Sequence, residues 1–129
     1  MNKTLLVTGS VLGILGIILG AFAAHGLEKL VEPDVIKTFE TGVRYQLYHA
    51  FFLLIIGSTS FVNLKIKKAI LYLVILGVVF FSGSIYGLAT NALSSFDFKT
   101  IAVITPVGGL LLILAWVVML VGIIRNKVD

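Results

Sequence analysis

Long stretches without a charged residue divide the chain into four apolar segments, at about residues 4–24, 45–64, 69–90 and 101–124. A helix needs about 20 apolar residues to cross the hydrocarbon core of a bilayer, and each segment has that length. Because backbone groups cannot stay unpaired in lipid, each segment should be helical, and the alternation typical of barrel strands is absent. The pattern predicts an all-α membrane protein whose four transmembrane helices form a single domain over residues 1–129.

Composition supports this prediction. Hydrophobic residues make up 59% of the 129 residues and charged residues 12%, with a mean hydropathy of +1.12. Average soluble domains contain about 45–50% apolar and about 25% charged residues, so an ordinary soluble domain and a disordered chain are both excluded. The chain has no cysteine, which excludes disulfides, thiolate metal sites and a cysteine nucleophile.

Lysine and arginine predict how the chain lies in the membrane. With four spans, the N-terminus, the loop at 65–68 and the C-terminus share one side, which carries six of the ten basic residues. The short loop alone holds Lys65, Lys67 and Lys68. We therefore expect a multi-pass protein of the cell (inner or plasma) membrane with both termini in the cytoplasm. The net charge of +4 is then a topology signal, and no nucleic-acid partner is expected.

The first span also resembles a secretory signal peptide. Lys3 precedes the apolar run, and the sequence at 21–23 imitates a small-residue cleavage site. The run is longer than the usual hydrophobic region of about 7–15 residues, and its glycines are regularly spaced. We expect the first span to be retained.

Small residues recur on one face of two predicted spans. Spacings of four and three place the glycines of the first span on one helix face, where two backbones can approach closely. Packing within the bundle is the preferred interpretation, and a homo-oligomer seam is the alternative. The predicted helix-packing residues are Gly9, Gly13, Gly16 and Gly20 in the first span, and Gly83 and Gly87 in the third.

The fourth span contains a predicted helix break at Thr105 and Pro106. Proline has no amide hydrogen, so it either kinks a helix or lies in its first turn. A helix that begins at Pro106, with Thr105 as N-cap, would still be long enough to span. Residues 97–104 would then lie at the outer interface or re-enter the membrane.

A mixed polar and apolar loop connects the first two spans. Pro33 can begin a helix, with Glu32 and Asp34 favourably placed at its positive end. Residues 33–44 are predicted to form an extracytoplasmic amphipathic helix that lies on the outer leaflet or against the bundle and leads into the second span. Its apolar stripe consists of Val35, Ile36, Phe39 and Val43.

Polar side chains gather at the same predicted level, where ionisable groups are candidate functional residues. Spacings of four join Glu40 to Arg44 and Tyr45 to His49. The set predicts either a ligand or lipid site or a structural network that ties loop to bundle. Two histidines without cysteine are a weak metal or haem signal, so no metal and no cofactor are expected. This polar belt consists of His25, Glu40, Arg44, Tyr45, Tyr48 and His49.

Four blocks of sequence resemble a known family. Residues 20–26 (GAFAAHG), 39–50 (FETGVRYQLYHA), 81–84 (FSGS) and 104–109 (ITPVGG) are similar to signatures of the domain-of-unknown-function 423 family. Ala23 stands where many relatives would have glycine. The resemblance implies a small inner-membrane protein of bacterial type with eukaryotic relatives, and it implies no reaction.

Three classes of function follow from these observations. The preferred one is a structural or interaction protein that binds membrane lipid, a further copy or a membrane-protein partner, and supports envelope integrity. The alternative is a small oligomeric transporter or channel that uses the polar belt. No aspartate or glutamate lies within a span, so His49 would have to carry protons. An enzyme acting on lipid headgroups, with Arg44 as phosphate clamp, is not expected because no strong nucleophile is present.

Overall fold

A computed structural model describes residues 2–90 and 103–126, which form helices and connecting turns with no β-strand among them. The predicted all-helical fold is confirmed. A 3₁₀ turn, Leu27–Lys29, follows the first helix, and a π-helical turn, Val79–Gly83, joins the third and fourth helices into one continuous rod. The α-helices are α1 (Asn2–His25), α2 (Pro33–Ser58), α3 (Leu64–Val78), α4 (Ser84–Ala89) and α5 (Ile104–Arg125).

Three helical segments are long and apolar enough to cross a membrane: Asn2–Lys29, Leu64–Ala89 and Ile104–Arg125. Helix α2 is not one of the three, and polar side chains recur along it from Asp34 to His49. The predicted amphipathic helix at 33–44 and the predicted second span at 45–64 form one uninterrupted helix that ends at Ser58. A second membrane span within α2 stays a prediction.

Two hydrogen-bonded contacts bring distant parts of the chain to one end. The buried Lys67 donates through Nζ to Oδ1 of Asn2 at 2.7 Å and to the carbonyl oxygen of Thr59. Nδ2 of Asn126 donates to the carbonyl oxygen of Phe61 at 2.9 Å. The start of α1, the α2–α3 turn and the end of α5 therefore lie together. We call this the terminal end, and the opposite end, where α1 leads into α2, the loop end.

The helices pack in the order α1, α2, α3–α4, α5. Helix α1 lies along α2, α3 and the π turn lie along α5, and α2 joins the two pairs by contacting α3, the π turn and α4. The outward faces of α1 and α5 are apolar, with Ile17 and Ile124 among their exposed side chains. Side chains of this kind on two outer helices are typical of a surface that contacts lipid.

The apolar stripe predicted for 33–44 packs against protein. Phe39 and Val43 are buried, and they form a core cluster at the loop end with Ala23, Leu27 and Ala89. The first half of α2 is thus anchored to α1 and α4, while its polar side chains face outward. A larger apolar core fills the rest of the molecule and includes Leu5, Phe52, Leu53, Ile56, Ile70, Val74 and Leu112.

Two of the predicted packing glycines contact α2 closely. A Cβ on Gly9 would lie 2.9 Å from the carbonyl oxygen of Ala50, and one on Gly16 would lie 2.8 Å from Cδ2 of Leu47. A Cβ on Gly13 would have no atom within 4 Å. The face of α1 that was predicted as a packing face therefore meets α2 at Gly9 and Gly16 and leaves Gly13 open.

The start of α5 differs from the predicted break. Helix α5 begins at Ile104 with Val103 as N-cap, so Thr105 is not the N-cap, and Pro106 lies in the first turn, where its missing amide costs nothing. Gly108 lets α5 approach the π turn, since a Cβ there would overlap the backbone of Phe81. The predicted interface or re-entrant segment at 97–104 lies mostly outside the described residues.

Candidate functional site

A buried glutamine joins three helices. Gln46, on α2, is 3% exposed. Its Nε2 donates to the carbonyl oxygen of Leu12 on α1 at 2.9 Å, and its Oε1 accepts from the hydroxyl of Tyr86 on α4 at 2.7 Å. Both ends of the buried amide are used, so the side chain links α1, α2 and α4 to one another.

Two buried serines hold the π turn in place. Ser82, within the turn, donates to the carbonyl oxygen of Gly42 on α2 at 2.7 Å. Ser84 donates to the carbonyl oxygen of Phe81 at 3.0 Å and is also hydrogen-bonded to the hydroxyl of Thr105 on α5. Gly42 leaves room for the ring of Tyr86 to pack against α2, since a Cβ at position 42 would lie 2.8 Å from that ring. These bonds tie α2, the π turn and α5 together.

A histidine and a tryptophan pair beside this network. His49 is 3% exposed, and its Nδ1 lies 2.7 Å from the carbonyl oxygen of Tyr45, which can only accept. Nδ1 therefore carries the hydrogen, and Nε2 is left to accept from the indole N–H of Trp116 at 3.1 Å. The two bonds together specify the neutral Nδ1–H tautomer, and both ring nitrogens are engaged.

An apolar groove runs between α2 and α5 on the outer surface of the bundle. Its first part, near the loop end, encloses about 300 Å³ and has His49 in its wall. Its second part, nearer the terminal end, encloses about 330 Å³ and is almost entirely apolar. Trp116 borders both parts. The side chains that line this α2–α5 groove include Tyr45, Phe81, Gly109 and Ile113 in the first part, and Tyr48, Phe51, Ile55, Phe61 and Met119 in the second.

Aromatic rings stiffen the walls of the groove. Tyr45 packs edge-on against Phe81 at 5.1 Å and against Tyr48 at 5.6 Å between ring centroids. Phe52 packs against Trp116 at 4.4 Å. Edge-to-face contacts of this kind favour one fixed ring arrangement. Contacts between aromatic rings therefore define the walls of the groove.

The structure separates the predicted polar belt into two groups. Tyr45, Tyr48 and His49 line the α2–α5 groove. His25 and Glu40 are exposed at the loop end and are not among the residues that line it. The predicted belt is therefore not one compact cluster, and only part of it belongs to the groove.

Arg44 is the basic residue that immediately precedes the groove. Its guanidinium donates to Oγ1 of Thr41 at 3.0 Å, and no ion pair with Glu40 occurs among the described residues. The side chain is exposed, in the same helical row as Tyr48, one turn nearer the loop end. Arg44 is thus available to an external partner.

Gln46 and Trp116 were not among the site residues assigned from sequence, whereas His49 was. Gln46 falls with His49 on the buried face of α2 that includes Phe39 and Gly42, and the spacing of that face could have identified it. Trp116 is the single tryptophan, but only the packing of α5 against α2 reveals its contact with His49. Within residues 2–90 and 103–126 no cluster of three or more possible metal ligands occurs.

Comparison with known proteins places the chain in a family. A family model described as "Protein of unknown function (DUF423)" matches residues 19–109. A UPF0382 membrane protein of Staphylococcus haemolyticus is 36% identical over 123 residues, which cover 93% of this chain and 94% of the relative. The UPF0382 inner membrane protein YgdD of Escherichia coli is 34% identical over 129 residues, covering 98% and 93% of the two chains.

A further relative extends the comparison to another bacterium. The UPF0382 membrane protein YwdK of Bacillus subtilis is 30% identical over 125 residues, covering 95% of this chain and 98% of the relative. No solved structure matches the chain significantly. The relatives are named as membrane proteins, in agreement with the apolar helices found here. The chain is a membrane protein that belongs to the DUF423 family of proteins of unknown function.

Proposed function

We propose that this chain is a four-span cell-membrane protein that binds a membrane phospholipid in the α2–α5 groove and supports envelope integrity without catalysing a reaction. The observation that carries the proposal is the groove itself. It is lined by apolar and aromatic side chains that contact one another, and it opens on the side of the bundle rather than into the core.

The arrangement of the helix ends supports four spans. Helix α1 leaves the terminal end, and the turn after α2 lies at that end again. Helix α2 must therefore return through the same thickness that α1 crosses. We propose that its second half is the remaining span, and that its first half, with exposed Asp34, Lys37 and Glu40, is the extracytoplasmic amphipathic part. The lysines of the terminal end support a cytoplasmic position for both termini.

The shape and chemistry of the groove fit an acyl chain. From Tyr45 to Ile56 the groove follows α2 for about 16 Å at 1.5 Å per residue, comparable to much of one leaflet. The indole N–H of Trp116 and both ring nitrogens of His49 are already hydrogen-bonded within the wall. A hydrocarbon chain can therefore lie against this pair without leaving either ring unpaired.

Arg44 supplies the polar end of the proposed site. A guanidinium matches the geometry of a phosphate with two parallel hydrogen bonds. Arg44 immediately precedes Tyr45, at the loop end of the groove, and the adjacent Tyr48 provides an aromatic surface typical of the membrane interface. A phospholipid with its chain in the groove would thus carry its phosphate at the level of Arg44.

The transporter alternative would need His49 to take up and release a proton. The hydrogen bond from Trp116 occupies Nε2 and the carbonyl oxygen of Tyr45 engages Nδ1. Proton uptake would place an N–H of His49 against the N–H of Trp116 and break that pair. This arrangement favours a structural histidine in a lipid-binding wall over a proton carrier.

Native mass spectrometry of the protein released from phospholipid nanodiscs tests the binding. Wild-type protein should retain phospholipid at collision energies where Arg44→Ala has lost it, and Arg44→Lys should be intermediate. Lys37→Ala is the matched control, since Lys37 is an exposed cation on the same helix that lies about two turns farther from the groove than Arg44 does. Equal retention by wild type, Arg44→Ala and Lys37→Ala would contradict the proposal.

The absence of cysteine permits a direct test of the proposed topology. In intact cells, a membrane-impermeant maleimide should label Thr38→Cys, in the first half of α2, and should label Ser60→Cys only after lysis. Both substitutions should be tolerated and both cysteines should be accessible to the reagent, since Thr38 and Ser60 are exposed. Labelling of both from outside would contradict four spans, and labelling of Ser60→Cys alone would contradict the orientation.

A further inference from the structure

A second cavity lies at the terminal end, between the first turn of α3 and the last turn of α5. It encloses about 330 Å³. Its floor is apolar, formed by Ile66, Ala69 and Gly122, and its rim is polar. The rim residues are Asn63, Lys65, Arg125 and Asn126. We call this the α3–α5 cleft.

The frame of the cleft is built by specific contacts. Oδ1 of Asn63 accepts from the backbone N–H of Ile66 at 2.9 Å and caps α3, while Asn126 is held to the α2–α3 turn through Phe61. A Cβ on Gly122 would lie 2.9 Å from Cγ2 of Ile66, so the two helices touch below the cleft. The rim therefore stays open above a closed apolar floor.

The charge of the cleft is positive. Lys65 and Arg125 enter it from two different helices, and both are exposed. Of the residues that the structure describes, the four acids are Glu28, Glu32, Asp34 and Glu40, and all lie towards the loop end. The partial positive charge at the start of α3 adds to that of Lys65. An anion would meet two cations there and no described carboxylate.

We propose that the α3–α5 cleft binds the phosphate headgroup of an anionic phospholipid from the leaflet at the terminal end. The shared chemistry is a phosphate ester held between an ammonium and a guanidinium. A lipid supplies it more readily than free phosphate does, because the floor of the cleft is apolar and the exposed apolar side chains of α5, such as Ile124, continue from it towards the membrane. This site is separate from the α2–α5 groove and does not depend on it.

The test compares lipid retention in nanodiscs of phosphatidylcholine with and without phosphatidylglycerol. Wild type should retain phosphatidylglycerol preferentially in native mass spectra, and Lys65→Ala/Arg125→Ala should retain it about tenfold less. Lys65→Arg/Arg125→Lys should bind as wild type does. The matched control is Lys3→Ala/Lys68→Ala, which removes the same charge from exposed positions outside the cleft. Equal loss in that control would overturn the proposal, because it would show general attraction between charges.

A second arm separates the two sources of phosphate. Inorganic phosphate added to the detergent-solubilised protein should leave its melting temperature unchanged and should not displace phosphatidylglycerol. Stabilisation by inorganic phosphate that is lost in Lys65→Ala/Arg125→Ala would overturn the assignment to lipid. The Arg44→Ala protein should keep its preference for phosphatidylglycerol, so failure at the α2–α5 groove and failure at the cleft give different results.

Discussion

The indole N–H of Trp116 lies 3.1 Å from Nε2 of His49, and this bond joins α5 to α2 at the wall of the α2–α5 groove. Trp116 is 47% exposed while His49 is 3% exposed. The tryptophan thus presents one face to the surroundings and uses its nitrogen to satisfy a buried ring. Trp116 borders both parts of the groove, whereas His49 lines the first part.

Trp116→Phe should destabilise the protein by about 1–2 kcal/mol. The phenyl ring keeps most of the packing against Phe52 but leaves Nε2 of His49 without its donor. Thermal unfolding in detergent measures the change. Tyr72→Phe, at an exposed position outside the groove, is the control and should be neutral. A Trp116→Phe protein as stable as the control would show that the hydrogen bond contributes nothing.

Gln46 and Tyr86 should be energetically coupled. Gln46→Leu leaves the hydroxyl of Tyr86 unpaired, and Tyr86→Phe leaves Oε1 of Gln46 unpaired. Each single variant should lose about 1–2 kcal/mol, and the double variant should lose clearly less than the sum. A double-mutant cycle on the free energy of unfolding measures this coupling. Strict additivity would mean that the two side chains do not interact.

The glycines of α1 should differ sharply in their tolerance of alanine. Gly9→Ala places a Cβ against the backbone oxygen of Ala50 and should cost about 1–3 kcal/mol. Gly13→Ala meets open space and should be neutral or stabilising by up to about 1 kcal/mol. The free energy of unfolding and the oligomeric state, by native mass spectrometry, are measured for both variants. A change of oligomeric state in Gly13→Ala would instead support a seam between copies of the chain.

Lys67 should hold the start of α1 to the α2–α3 turn. Lys67→Met removes both bonds, to Asn2 and to Thr59, and should raise hydrogen exchange over residues 2–8. Lys68→Met is the control, because Lys68 is exposed on the same helix. Hydrogen–deuterium exchange with mass spectrometry in detergent measures the difference. Equal hydrogen exchange over residues 2–8 in the two variants would show that Lys67 does not hold the start of α1.

The helical segments could be predicted because apolar runs in lipid have few structural alternatives. The loop-end part of α2 was also predictable, since Pro33 and the Phe39–Val43 stripe follow the helical period. Of the alternatives left open at Pro106, a helix that starts at that residue is not the one found, because Ile104 and Thr105 continue α5 towards the N-terminus and Pro106 lies within its first turn. Proline is tolerated throughout a first turn, so its position alone does not define where a helix begins.

The site was harder to predict than the helices. The contacts of Trp116 with His49 and of Gln46 with Leu12 depend on which helices are neighbours, and hydropathy carries no information about that order. The π turn over Val79–Gly83 likewise has no periodic signal in five residues. Sequence therefore identified several polar residues of the belt, but not the groove between α2 and α5.

Photolabelling by lipid tests the central claim most directly. A phospholipid with a diazirine in its acyl chain is reconstituted with the protein and activated, and the labelled positions are mapped by mass spectrometry. Label should concentrate on groove residues such as Tyr48 and Ile113, and should fall there in Arg44→Ala. Equal labelling of the outward face of α1, at Ile17 and Ile18, with no effect of Arg44→Ala, would contradict a lipid site in the groove.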